Sequence, residues 1–202
     1  MLGSTIITNK IVDILSEDNN NVKENKEIYN YCLDYIFENI IYSSLTLLIG
    51  AFFNCLLPTF IFIITIFSLR SYAGGAHANT RKSCTVISFS IYIASIIVAS
   101  CTELFPKIIW LLLYLIAMTL INILGPIETP QKPLSISKRH LLKKKLHICT
   151  IGLTILFTIL YLYNFTICYK LITVCAIITI ISMFFTIKNR HHHTTRGKNY
   201  DF

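Results

Sequence analysis

The sequence predicts an all-α, polytopic membrane helix bundle, with about six apolar helical segments preceded by N-terminal amphipathic helices. Three observations predict it. First, 54% of the 202 residues are hydrophobic and only 14% are charged, against roughly 25% charged in an ordinary soluble domain. So few charges cannot coat a soluble protein of this size. Second, residues 39–69 form a run of 31 without a charge, and one crossing needs about 20. Third, basic residues gather between the apolar runs. These features exclude an ordinary cytosolic enzyme and a disordered chain.

Residues 1–38 are expected to form amphipathic helices at the cytosolic face or membrane interface. They hold three lysines against seven acids. Ile7, Ile11, Ile14 and Leu15 share one helical face, and Ile28, Cys32, Tyr35 and Ile36 share another. The polar run from Glu17 to Asn21 reads as a turn between them. A polar, acidic start of this kind is not a signal peptide. The 39–69 segment is too long for one untilted helix and short for two full spans. Asn54 and Pro58 near its middle suggest a break, giving two short helices, or a kink in one long helix. The same segment is a candidate contact between two copies of the chain.

Residues 70–84 are the most polar stretch between residues 39 and 126 and are expected to be a loop leading into a helix start. Apolar runs at about 85–102 and 108–125 form a membrane hairpin over 85–125, ended by Gly125 and Pro126. A basic loop over 126–145 carries six basic residues and one acid. A second membrane hairpin covers 146–187, and a basic tail covers 188–202. The stretches 70–82, 126–145 and the tail carry three, six and four Lys or Arg; the connections 103–107 and 164–170 carry one each. The positive-inside rule therefore places the basic stretches and the C-terminus in the cytoplasm. Two crossings within 39–69 put the N-terminus inside as well. The net charge of +8 reads as anchoring on an anionic inner leaflet rather than nucleic-acid binding.

Chemistry concentrates in 70–84. Gly74 and Gly75 permit positive φ or close approach of another chain. His77 titrates near neutral pH. Asn79 and Thr80 suit a helix N-cap, which puts Cys84 in the first turns, where the helix dipole, Arg81 and Lys82 favour the thiolate. His77 and Cys84 are seven residues apart. On one continuous helix that is about 10.5 Å along the axis, whereas proton transfer needs about 3 Å. A dyad thus requires the chain to fold back between Gly74 and Thr80. On the residues alone, a solvated histidine and a packed cysteine remain the plainer alternative. Zinc is disfavoured, because two ligands are not four and no HExxH is present. No metal or other cofactor is expected. The seven cysteines lie mostly in apolar runs, where they act as small hydrophobes. The triple His191, His192 and His193 reads as part of a disordered tail.

These residues resemble the AgrB family, the membrane cysteine endopeptidases of peptide quorum sensing in Gram-positive bacteria. The resemblance rests on Arg70-x-x-Ala-Gly-Gly-x-His77 with Cys84 seven residues on, and secondarily on Pro126-Ile-Glu-Thr-Pro-Gln-Lys-Pro133. The order of segments is similar along nearly the whole chain. The resemblance implies a bacterial plasma-membrane, multi-pass enzyme whose catalytic loop faces the cytoplasm. Its partner would be an AgrD-like precursor peptide. Cys84 would be the nucleophile and His77 its base; cleavage would free the precursor's acidic C-terminal tail and leave a thioester that an internal Cys or Ser closes to a thiolactone or lactone. Arg70, Gly74 and Gly75 would shape the site. Asn79 and Glu128 are candidates for a third polar member by polarity alone. Lys138 and Arg139, with Lys143, Lys144 and Lys145, are able to attract an acidic tail or simply to set topology. The competing reading is a non-catalytic transporter or scaffold. Against it, the apolar runs hold no charge well inside a span, Lys107 and Lys170 standing at their edges.

Overall fold

The structure is a computed structural model that describes residues 2–18, 23–75, 81–101, 105–128 and 135–197. The described residues form helices and connecting turns. Their order is α1 (Leu2–Asp18), α2 (Lys26–Phe52), α3 (Leu56–Ala73), α4 (Arg81–Cys101), α5 (Lys107–Leu124), α6 (Ile136–Leu162) and α7 (Thr166–Gly197). Five stretches are long and apolar enough to cross a membrane: Lys26–Phe52, Leu56–Ala73, Lys107–Leu124, Ile136–Leu162 and Thr166–Lys188. Thr85–Cys101 is a shorter apolar helix. This is an all-α, multi-pass membrane architecture, as the hydropathy pattern predicts.

The chain divides into two compact units, residues 1–54 and 55–202. In the first, α1 packs against α2. The Thr8 hydroxyl donates to the Asp34 carboxylate at 2.7 Å, with both residues buried. Asp13 pairs with Lys26. An early residue of α1 thus meets a later residue of α2, and the reverse, so the two helices run antiparallel. The helix α2 is continuous through residues 38 and 39, so the polar N-terminal stretch and the apolar run share one rod.

The 39–69 segment does break, and the break lies at 53–55. Asn54 takes φ 55°, a left-handed conformation that Asn tolerates. Pro58 does not kink α3. It is the third residue of that helix, where its missing N–H has no intrahelical partner to lose.

In the second unit α7 is the central rod, packed against α3, α4, α5 and α6. Its residues from Cys168 to Ala176 are buried almost without interruption. Tyr114 of α5 stacks on Phe157 of α6, with ring centroids 3.8 Å apart and planes 4° from parallel. Tyr169 of α7 meets Phe157 edge-on at 6.0 Å. The α3–α4 contact is held by Tyr92, whose hydroxyl lies 2.8 Å from that of Thr59 and whose ring packs edge-on against Phe62. Several hydroxyls within the apolar helices are satisfied locally: Thr46, Thr59, Ser95, Thr154 and Thr173 each donate to the carbonyl four residues earlier, as hydrocarbon surroundings favour. The buried Thr65 hydroxyl and Trp110 indole N–H are exceptions, with no hydrogen-bond partner among the described residues.

Two boundaries differ from the sequence expectation. The basic stretch 126–145 is not a loop throughout. Ser135 caps α6, its hydroxyl accepting from the Lys138 N–H at 3.4 Å, so Lys138, Arg139 and Lys143 to Lys145 ride on the first turns of a helix. No breaker interrupts 136–145, and the helix extends past the apolar stripe because charged side chains there reach the polar phase. The helix α7 continues to Gly197, into the stretch read as a disordered tail. Lys170 stands near the start of α7, at the edge of that span as expected. It is buried, with its ammonium 5.7 Å from the centre of the Trp110 ring.

Candidate functional site

The glycine pair predicted to shape the site sits immediately after α3. Arg70 lies in the last turn of that helix, where a cation complements the helix dipole. Gly74 ends it with φ 80° and ψ −168°, a backbone region open in practice only to glycine. Gly75 follows at φ 150° and is buried.

Both glycines are also required by what surrounds them. A Cβ on Gly74 would stand 2.8 Å from the carbonyl oxygen of Ile127. A Cβ on Gly75 would stand 2.6 Å from the Ser182 hydroxyl of α7. The Ile127 N–H donates to the Ala73 carbonyl at 3.0 Å. The segment 125–128, the start of the proline-containing stretch, therefore docks directly on the end of α3. Gly125 is itself wedged: a Cβ there would lie 2.7 Å from Leu146 and 2.9 Å from the Ile121 carbonyl. Around this junction Leu69, Ala73, Ile121, Leu146 and Met183 are fully buried. Four helices, α3, α5, α6 and α7, thus converge behind one short glycine segment. A chain that leaves such a junction starts from a fixed point and a fixed direction.

Glu128 extends from the docked segment toward α6, where its carboxylate lies 3.9 Å from the Arg139 guanidinium. Arg139 is 61% exposed and Glu128 25% exposed. Arg139 is thereby tied to the same junction as Gly74, although it is 65 residues distant in sequence. Ile127 falls inside the quoted proline-containing motif, but nothing in the sequence pattern signalled Ser182 as a member of this region. Ile127 acts through its backbone and Ser182 through its side-chain hydroxyl, and such close approaches leave no mark on hydropathy or charge.

His77 and Asn79 lie outside the described residues, as do 129–134 of the proline-containing stretch. The backbone of Cys84 is described and is the fourth residue of α4. Its side chain lies outside the described set, as do those of Arg81, Lys82 and the histidine triple. The fold-back of His77 toward Cys84 is therefore an expectation on residues outside the description. Among the described residues, no group of three or more His, Cys, Asp or Glu side chains is arranged to hold a metal ion.

Residues 6–187 match the sequence model of the family described as accessory gene regulator B. The chain is similar to an AgrB-like protein of Clostridium perfringens strain SM101, at 30% identity over 173 residues, covering 80% of this chain and 78% of the relative. A second AgrB-like protein, from Clostridium perfringens strain 13, is 31% identical over the same shares of each chain. Protein FsrB of Enterococcus faecalis strain OG1RF is 29% identical over 160 residues, covering 78% of this chain and 64% of that protein. No solved structure matches.

Proposed function

This chain belongs to the accessory gene regulator B family, and we propose that it is a membrane cysteine endopeptidase that processes an AgrD-like precursor for quorum sensing. The observation that carries the proposal is the motif Arg70-x-x-Ala-Gly-Gly-x-His77 with Cys84, lying inside the matched span 6–187.

In this reading His77 takes the proton from the Cys84 thiol. The thiolate attacks the scissile carbonyl carbon of the precursor. The carbon–nitrogen bond then breaks, and the imidazolium returns its proton to the leaving amine of the C-terminal tail. What remains is a thioester between the precursor and Cys84. An internal thiol or hydroxyl of the precursor attacks that carbonyl, closes a thiolactone or lactone, and releases Cys84 as a thiol. Support comes from the position of Cys84 in the first turn of α4, where the helix dipole favours an anion. Further support comes from the junction at Ala73 to Gly75, which anchors the chain two residues before His77. A site at the membrane boundary limits water, so the internal nucleophile outcompetes hydrolysis.

The same reading extends to topology and partners. The basic ends of α3, α4, α6 and α7 face the cytoplasm, and so does the 70–84 segment. Six apolar helices, α2 to α7, then leave both chain ends on that side. An amphipathic leader on the precursor partitions into the interface and presents its scissile bond at the depth of the motif.

The test is co-expression of the chain with its precursor, followed by mass spectrometry. Cys84→Ala and His77→Ala are each expected to abolish cleavage. The wild-type product is expected to be one water lighter than the linear acid. Undiminished cleavage by either variant overturns the proposal.

A further inference from the structure

We propose that the groove between α3 and α6 is a binding site for one anionic phospholipid, with an acyl chain along the groove and the phosphate at Lys145. The groove has a volume of about 460 Å³ and is lined by residues including Ile64, Ser68, Tyr72, Lys145, Cys149 and Gly152.

The space exists because small residues face each other. A Cβ on Gly152 would meet nothing within 4 Å. Ser68 and Cys149 hydrogen-bond each other, so the polar atoms of the floor are already engaged and the surface offered is apolar. Ile64 and Ile148 at the sides are 39% and 62% exposed, so the groove opens sideways toward the hydrocarbon. Only one end is polar. It carries Lys145 and Tyr72, and Lys138 lies two helical turns beyond Lys145 on the same face of α6. A positive charge at the mouth of a hydrocarbon slot is the complement of an anionic headgroup above an acyl chain.

From Ile64 to Tyr72 the groove follows two turns of α3, about 12 Å. A slot that is mostly apolar, opens sideways through Ile64 and Ile148 and ends at the Lys145 ammonium matches an acyl chain below an anionic headgroup. Tyr72 is two residues before Gly74, so a lipid held there braces the helix end that carries the glycine junction. The proposal concerns lipid retention, and its test reads no peptidase activity.

The full chain is purified in detergent and equilibrated with phosphatidylglycerol or with phosphatidylcholine of identical acyl chains, and retention is read by native mass spectrometry. One phosphatidylglycerol per chain is expected to persist under conditions that strip phosphatidylcholine. Lys145→Gln is expected to reduce that preference about fivefold. Gly152→Leu, which fills the open space, is expected to abolish retention of phosphatidylglycerol. In wild-type protein, phosphatidylglycerol in nanodiscs is expected to slow alkylation of Cys149 by an apolar maleimide, mapped by peptide mass. Equal retention of the two lipids, or unchanged retention by Gly152→Leu, overturns the proposal. So does protection of Cys149 by added precursor in a purely phosphatidylcholine bilayer, which would make the groove a peptide seat.

Discussion

The N–H of Ile127 donates to the carbonyl of Ala73 at 3.0 Å, joining two segments that are 54 residues apart in the chain. One belongs to the helix that ends in the glycine pair, the other to the stretch that follows α5. This bond makes residues 125–128 a wall of the junction at Gly74 and Gly75. The Ala73 carbonyl, left unpaired by the end of α3, gains a partner in a buried setting.

Gly74→Ala tests the junction directly. The new methyl meets the backbone oxygen of Ile127 at 2.8 Å, and φ 80° with ψ −168° excludes a side chain independently. The variant is expected to lose about 1–3 kcal/mol of stability and at least tenfold in precursor processing. Thermal melting in detergent and a cleavage assay check both. A wild-type melting temperature would show that the segment relaxes freely.

Gly75→Ala has a different neighbour and a different remedy. Its methyl meets the Ser182 hydroxyl at 2.6 Å, a side chain that is removable. Ser182→Gly combined with Gly75→Ala is expected to recover part of the loss. The coupling between the two changes should fall at about 0.5–3 kcal/mol, measured by a double-mutant cycle on melting temperature. Strict additivity would place Ser182 outside the junction.

Charge reversal at the start of α6 separates anchoring from recognition. The Glu128–Arg139 pair is partly exposed at 3.9 Å, and such pairs contribute about 0–1 kcal/mol. Lys138→Glu with Arg139→Glu should therefore leave melting within about 1 kcal/mol of wild type. If these cations recognise the precursor's acidic tail, KM rises and the difference narrows as salt is added. An unchanged KM assigns them to topology alone.

Phe157→Ala tests the aromatic centre of the bundle. Phe157 is buried, stacks on Tyr114 at 3.8 Å and meets Tyr169 edge-on at 6.0 Å. Its removal leaves a cavity among three helices. The expected loss is about 3 kcal/mol, seen as a lower melting temperature. Phe157→Leu should cost less, because it keeps part of the volume.

In the first unit, Asp34 is buried and accepts from the Thr8 hydroxyl at 2.7 Å. Thr8→Val removes the donor while keeping the shape, and leaves a buried carboxylate with one fewer hydrogen bond. A loss of about 1–3 kcal/mol is expected. Faster hydrogen exchange in α1 would report it, with the second unit unaffected.

Much of the architecture was legible because hydropathy and charge are local. The uncharged run 39–69, the basic clusters and the short connections near 106 and 164 each announce a helix or its end without reference to the rest of the chain. Asn54 and Pro58 together suggested a break or a kink, and the structure has the break at 53–55, where Asn54 takes the left-handed φ that few residues other than glycine take easily. The start of α6 was less legible. Lys138 to Lys145 read as a loop by charge, yet Ser135 caps a helix that carries them out of the apolar layer. Charge alone does not distinguish a polar loop from the protruding end of a long helix.

The amino-acid sequence by itself determined that this chain is a helical membrane protein, where its apolar runs lie, and where histidine, cysteine and paired glycines fall together; whether 39–69 is one helix or two was left to the fold. Those properties sum over neighbouring residues, so they need no folded partner. Only the tertiary structure decided which surfaces close around the glycine pair: Ile127 on one side, Ser182 on the other, and Glu128 reaching Arg139. It also buried Lys170 against Trp110 and left open the slot beside Gly152. These depend on how the second unit's helices pack around α7, and steric fit between segments far apart in the chain has no counterpart in composition or periodicity.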